Sequence, residues 1–111
     1  MRKALRLLVF VSALALTACG KAVPSDKSAY VGEWRAQKMA LLITQDGRVA
    51  YKRFEGAVTK SVDGPLQGFE GNNFKVGVAF LSTTFEVSKP PFQEGGKWKM
   101  VVDGVELTKV Q

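Results

Sequence analysis

The sequence predicts a small all-β domain, built as an antiparallel meander of seven or eight strands that forms a barrel or a strongly curled sheet. Two observations predict this class. Short runs of β-prone residues alternate between apolar and polar positions, and a turn rich in glycine, proline or asparagine follows almost every run. After Gly32 no helical periodicity extends over a useful length. A two-sheet sandwich is the alternative, although it usually needs longer connections than these turns supply.

The strands follow one predicted helical turn at residues 28–31. In chain order they cover residues 39–44, 49–55, 57–62, 66–70, 74–78, 80–87, 97–102 and 105–110. Gly47 and the Asp103-Gly104 pair supply tight hairpin turns, and Asp63-Gly64-Pro65 closes the third strand. Pro90 and Pro91 cannot donate ladder hydrogen bonds, so they mark an exposed loop or an edge.

The predicted core consists of large apolar side chains at strand positions. They are Trp34, Leu41, Ile43, Phe54, Phe74, Phe80, Phe85, Trp98, Met100 and Leu107. A domain of this size has few other sources of stability, so these side chains are expected to fill the interior and leave little volume for a guest. Any remaining apolar surface is expected outside, as a patch for another protein.

The N-terminus has the features of a secretory signal. Arg2, Lys3 and Arg6 precede an apolar run of about ten residues, Leu7–Leu16, which is short for a membrane span. The run ends in Leu16-Thr17-Ala18-Cys19, which resembles the lipobox of bacterial lipoproteins. The resemblance implies a signal-peptide helix in residues 1–18, cleavage between Ala18 and Cys19, and lipid on the Cys19 thiol and amine.

The lipobox resemblance also implies a location and a domain plan. Residues 19–28 are expected to be a lipidated flexible tether, and residues 29–111 the small β domain. The chain would sit in the bacterial cell envelope, held to the membrane by lipid on Cys19. Gly20, and not the aspartate that retains lipoproteins at the inner membrane, follows the cysteine. This favours the outer membrane over the inner membrane.

The composition excludes most catalytic chemistry. The chain has no histidine and one cysteine, which removes the common general base, nucleophilic triads and tetrahedral metal sites. Asp46, Asp63 and Asp103 each precede a glycine as turn residues, so no metal and no cofactor is expected. Paired carboxylates are the one enzymatic option, but the glutamates have the spacing of solvent-facing positions: Glu55, Glu70, Glu86, Glu94 and Glu106. We therefore expect no enzyme.

Two further resemblances concern the β domain. Gly32-Glu33-Trp34 resembles the Gly-x-Trp that opens the first strand of lipocalin-like barrels, where an arginine from a late strand faces the tryptophan. No arginine follows Arg53, and Lys109 is expected to be a poor substitute. The stretch from Tyr30 to the final Val-Asp-Gly-Val-Glu-Leu is similar to small bacterial lipoproteins.

The sequence favours a non-catalytic structural or protein-binding module of the envelope, with an envelope protein as partner. Three of the sixteen Lys and Arg residues lie in the signal, so the basic excess that remains is small and no nucleic acid is expected. The alternatives are a lipocalin-like carrier of a small apolar ligand and an inhibitor of a secreted enzyme, with residues 88–94 as its wedge. The candidate binding surface comprises aromatic, basic and proline residues: Tyr51, Arg53, Pro90, Pro91 and Trp98.

Overall fold

The computed structural model of the protein describes residues 20–110, which form a 3₁₀ helix and a nine-stranded antiparallel sheet. The helix is Ser25–Tyr30, and the strands are β1 Gly32–Ala36, β2 Met39–Ile43, β3 Arg48–Glu55, β4 Val58–Glu70, β5 Asn73–Val78, β6 Leu81–Phe85, β7 Val87–Glu94, β8 Lys97–Val102 and β9 Val105–Lys109. The all-β prediction is confirmed, with nine strands instead of seven or eight. The signal-peptide helix expected in residues 1–18 lies outside the described residues.

The sheet curls into a half-barrel because its two edges are neighbours in sequence. The strand order is β6-β5-β4-β3-β2-β1-β9-β8-β7, yet Glu86 alone separates β6 from β7. Phe85 and Val87 are two Cα steps apart, at most about 7 Å, so the opposite edges must meet there. The predicted single strand 80–87 is therefore wrong: the chain changes neighbours at Glu86, from β5 on one side to β8 on the other.

Three hydrogen bonds hold the meeting point of the two edges. The Glu86 amide donates to Asp103 Oδ1, and the Asp103 amide donates to the Glu86 carbonyl, both at 2.8 Å. The Val87 amide donates to Asn73 Oδ1, also at 2.8 Å. Pro90 and Pro91 lie on the edge strand β7, where a missing N–H costs least, so the prediction of an edge is confirmed.

A further difference from the predicted strands is at Asp63-Gly64-Pro65, which the structure places inside the long strand β4. Asp63 does not cap a turn there, because its carboxylate pairs across the strands with Arg48 at 2.9 Å. Pro65 opposes Arg48, the first residue of β3, and the ladder to β5 begins only at Leu66. Pro65 therefore lies where β4 changes its pairing from β3 to β5, and the missing N–H of proline costs little there.

Seven of the ten predicted core residues are fully buried, and Trp98 is half-buried against them. The prediction is wrong for Phe54 and Phe80, which are 43% and 88% exposed. Phe54 alternates with the buried Tyr51 on β3 and so points to the outer face, while Phe80 lies in the turn between β5 and β6. Met39 and Leu66 are among the buried core residues that the prediction omitted.

The segment 20–28, expected to be a flexible tether, is docked on the sheet. The Lys21 amide donates to the Leu66 carbonyl at 3.1 Å, and the Val23 amide donates to the Gln45 carbonyl at 3.0 Å. Val23 is 3% exposed and belongs to the core, and Gln45 Nε2 returns a hydrogen bond to its carbonyl. The 3₁₀ helix Ser25–Tyr30 begins within this segment and is longer than the single turn predicted at 28–31. The ordered domain therefore extends back to Gly20.

Candidate functional site

The predicted cleavage and lipid sites, Ala18 and Cys19, lie outside the described residues. The first described residue, Gly20, lies on the sheet surface against Pro65 and the β2–β3 turn. A side chain at Gly20 would come within 2.8 Å of the Gly47 carbonyl oxygen and of Pro65 Cβ, and the backbone there has φ +114°. Both facts require glycine. Gly20 is therefore held directly against the surface of the domain.

The five residues of the predicted binding surface do not form one patch. Tyr51 is buried, with its ring edge-on to Phe85 at 4.8 Å between centroids. Arg53 is half-buried, and its guanidinium contacts Glu55 at 3.6 Å and the Asp103 carbonyl at 3.5 Å. Pro90 and Pro91 lie apart from these side chains on the β7 edge, and Trp98 packs against the core from β8.

Lys109 makes cation–π contacts with both Trp34 and Trp98. The Lys109 ammonium lies 4.9 Å from the Trp34 ring centre and 5.6 Å from the Trp98 ring centre, and it donates to the Ala29 carbonyl at 2.8 Å. Burial lowers the pKa of Lys109 from its ordinary value of 10.5. The expectation that Lys109 would be a poor partner for Trp34 missed this contact. Gly32 was the available signal, since its bare Cα leaves room for the lysine stem.

The outer face of β1–β4 carries a cleft that the sequence analysis missed. We call it the outer cleft, and its outward side chains are Glu33, Ala40, Leu42, Ala50, Lys52, Ser61 and Asp63. The register aligns them in two rows across the strands, with small alanines as the floor and charged residues at the rim. Its volume is about 220 Å³, and Leu42 is 40% exposed within it. Alanine at alternate outward positions of two adjacent strands was the signal in the sequence.

A second exposed feature is the turn between β5 and β6. We call Val78, Ala79, Phe80 and Leu81 the apolar tip. Phe80 is 88% exposed, Leu81 68% and Val78 60%, which are three of the four highest values among the large apolar side chains of residues 20–110. Gln67 Nε2 donates to the Ala79 carbonyl at 2.9 Å and fixes the tip to β4. Scattered exposed apolar residues are ordinary, but three adjacent ones at a turn form a contiguous patch.

Four of the five glutamates considered for catalysis lie in ion pairs at the surface. Glu55 pairs with Arg53, Glu70 with Lys75, and both Glu94 and Glu106 with Lys99. The hydrogen bond that Lys99 donates to Glu94, more than any other contact, raises the pKa of Lys99. Within residues 20–110, no three acidic side chains lie close enough to hold a metal ion. The described helical segment is also far shorter than a membrane span.

Comparison with known proteins finds no matching family model, no similar curated sequence and no similar solved structure. A functional assignment therefore rests on the residues themselves. Two exposed features combine apolar surface with a defined place in the fold: the outer cleft and the apolar tip beside the N-terminal segment.

Proposed function

We propose that this chain is a bacterial envelope lipoprotein, anchored through lipid on Cys19, whose β domain is a non-catalytic protein-binding module. The observation that carries the proposal is the run Leu16-Thr17-Ala18-Cys19 after a basic start and about ten apolar residues. Two acyl chains on the glycerol and one on the amine would exceed the two signals that stable membrane anchoring needs. The proposed location is the outer membrane, because Gly20 follows the cysteine.

The outer cleft is the proposed partner site. Its volume of about 220 Å³ is below the roughly 300–1,000 Å³ of small-molecule pockets, but it suits one or two inserted side chains. An apolar floor with a charged rim is also the composition of protein interfaces, where buried apolar contacts are surrounded by polar ones. Glu33, Lys52 and Asp63 supply charge of both signs at that rim. The partner would therefore be a protein with an apolar anchor residue flanked by charges.

The carrier of an apolar ligand remains the second candidate, and the Lys109–Trp34 contact is the observation in its favour. It places a late-strand cation on the tryptophan of the Gly-x-Trp, as the lipocalin resemblance implies. The packing argues against a guest, because Trp34, Phe74 and Phe85 are at most 1% exposed in the interior of the half-barrel. For the inhibitor alternative, residues 88–94 belong to strand β7, paired with β8, and so do not form a free wedge.

Trp34 and Trp98 separate the two candidates, since both lie at the core. Fatty acids and apolar dyes are expected to leave their intrinsic fluorescence unchanged in the delipidated protein. Saturable quenching or a blue shift with one ligand per chain would favour the carrier over the binding module.

The anchor is tested by mass spectrometry of the N-terminal peptide from cells that produce the full chain. We expect the wild type to begin at Cys19 with thioether-linked diacylglycerol, and Cys19→Ala to remain an unprocessed or soluble chain. Thr17→Ser, which keeps a small residue in the lipobox, is the control and should be lipidated normally. A mature, membrane-bound Cys19→Ala chain would contradict the anchor.

The partner site is tested by filling the outer cleft without touching the core. Ala50→Arg places a long side chain on the cleft floor, whereas Thr84→Arg places the same side chain on the exposed face of β6. Cross-linking in intact envelopes is expected to yield a defined complex for the wild type and for Thr84→Arg, and to lose it for Ala50→Arg. A complex that both variants retain would place the partner elsewhere.

A further inference from the structure

The apolar tip and the N-terminal segment lie side by side on the sheet. Gly20 and Lys21 form one wall of a surface depression, and Val78 and Ala79 form the opposite wall. Lys21 bonds to Leu66 on one side of β4, and Val76 of β5 pairs with Leu66 on the other. Two strand spacings, about 10 Å, therefore separate Lys21 from β5. The tip begins two residues further along β5.

The docking of Gly20 decides how a lipid on Cys19 would hold the domain. Successive Cα atoms are about 3.8 Å apart, so an anchored Cys19 keeps Gly20 within the headgroup layer, which is roughly 5–8 Å thick on each side of the bilayer. Because a hydrogen bond fixes the next residue, Lys21, to β4, no length of free chain lifts the domain away. The surface around Gly20 must then face the membrane.

That surface carries the most exposed large apolar side chain of residues 20–110, Phe80, at 88%. Leu81, at 68%, and Val78, at 60%, extend the same patch. A β-turn that presents three apolar side chains gains by leaving water for the acyl boundary, as amphipathic membrane-binding segments do. Lys21, exposed at the other wall of the depression, can contact anionic headgroups.

We propose that the apolar tip inserts into the same membrane leaflet that holds the Cys19 lipid. The domain then has a contact with the bilayer made by its own side chains, and this contact sets its orientation on the membrane. The inference rests on the proposed lipid anchor, and it adds what the anchor alone does not specify: which face of the half-barrel meets the lipid.

The test places a polarity-sensitive fluorophore at the tip of the full, processed chain. Ala79→Cys leaves Phe80 and Leu81 in place, and lipid on Cys19 leaves the new thiol as the only reactive one. The matched control is Ala57→Cys, because Ala57 is also an exposed alanine in a hairpin turn. The control turn immediately precedes β4. The first residue of that strand, Val58, is about 26 Å along it from Leu66, where Lys21 is bonded to the sheet.

Both labelled proteins are reconstituted into phosphatidylcholine–phosphatidylglycerol vesicles, with and without nitroxide-labelled lipid. We expect the label at position 79 to shift to the blue and to lose more than half of its intensity to the nitroxide lipid, and the label at position 57 to keep its emission in water. Adding Phe80→Asp to the Ala79→Cys chain should reverse both changes, although the protein stays on the vesicles through its lipid.

Mass spectrometry of the same samples separates the two proposals. A chain without lipid on Cys19 overturns the anchor and, with it, this inference. A lipidated chain whose label at position 79 is unquenched, or is quenched no more than the label at position 57, overturns the inference alone. A blue shift at position 79 without quenching by lipid means that a second copy covers the tip, which also overturns it.

Discussion

Asp103 holds Glu86, the residue that connects the two edges of the half-barrel, and its substitution tests how the sheet closes. Its carboxylate accepts the Glu86 amide and its own amide donates to the Glu86 carbonyl, both at 2.8 Å. Its backbone has φ +47°, a left-handed conformation that Asp and Asn tolerate better than other residues with a side chain. Asp103→Ala therefore removes an acceptor and strains the turn, whereas Asp103→Asn keeps the conformation and an uncharged acceptor.

The two contributions have known sizes. A hydrogen bond to a charged group contributes about 1.5–3 kcal/mol, and the lower end applies because this one is exposed to solvent. Left-handed backbone costs a non-glycine residue about 1–2 kcal/mol, and aspartate already bears part of this cost, so the change to alanine adds about 0.5–1.5 kcal/mol. We expect Asp103→Ala to lower the free energy of unfolding by about 2–3 kcal/mol, and Asp103→Asn by about 1 kcal/mol. Domains of this size have roughly 5–15 kcal/mol in total, so the alanine variant loses a large share.

Urea unfolding of residues 20–111, followed by tryptophan fluorescence, measures these differences. Asp63→Ala is the matched control, because Asp63 also precedes a glycine but holds only the solvent-exposed pair with Arg48. Such pairs contribute about 0–1 kcal/mol. The closure by Asp103 is refuted if Asp103→Ala and Asp63→Ala destabilise the domain equally, or if Asp103→Asn is as damaging as Asp103→Ala.

Three further predictions follow from burial. Burial lowers the folded-state pKa of Lys109 below 10.5, so between the folded-state and unfolded-state pKa values the unfolded chain binds more protons than the folded one. The free energy of unfolding of the wild type should therefore rise with pH relative to that of Lys109→Met. Urea titrations from about pH 8 to pH 10 measure this, and parallel pH dependences of the two proteins would contradict it. Val23→Ala should cost about 2 kcal/mol in the same assay, although a flexible tether would make it neutral. Phe74→Ala should cost about 3–5 kcal/mol and Phe54→Ala less than about 1, and equal losses would contradict the assigned faces.

Much of the fold was predictable because alternation and turn chemistry are local. Hairpins such as β2–β3, with Gly47 in the turn, and β8–β9, with Asp103-Gly104, follow from a few adjacent residues. The change of neighbour at Glu86 was not predictable in this way. Nothing in the run 80–87 marks a break, because the break is made by Asp103 and Asn73, both distant along the chain.

The candidate surfaces were harder to predict than the strands. Alternation places Phe54 and the small residue Ala50 on the same face of one strand, and Ala40 on one face of the neighbouring strand. It does not show which of the two faces is turned to the core. The outer cleft appears only when the register aligns Leu42 with Ala50 and with Asp63 beyond it. Tyr51 was predicted to lie on a binding surface for the same reason, because an aromatic residue followed by two basic residues fits an inward or an outward position equally well.

The N-terminal segment shows why composition alone gave a wrong expectation of a flexible tether. Residues 20–28 are small, polar and broken by Pro24, which is the usual composition of a linker. One valine reverses that expectation, because Val23 finds a buried site and the backbone around it completes hydrogen bonds left open at Leu66 and Gln45. Those acceptors are more than twenty residues away, so no local pattern reveals them. Gly20 and Lys21 therefore belong to the folded domain, and the lipid that we propose on Cys19 would be joined to the sheet without a flexible spacer.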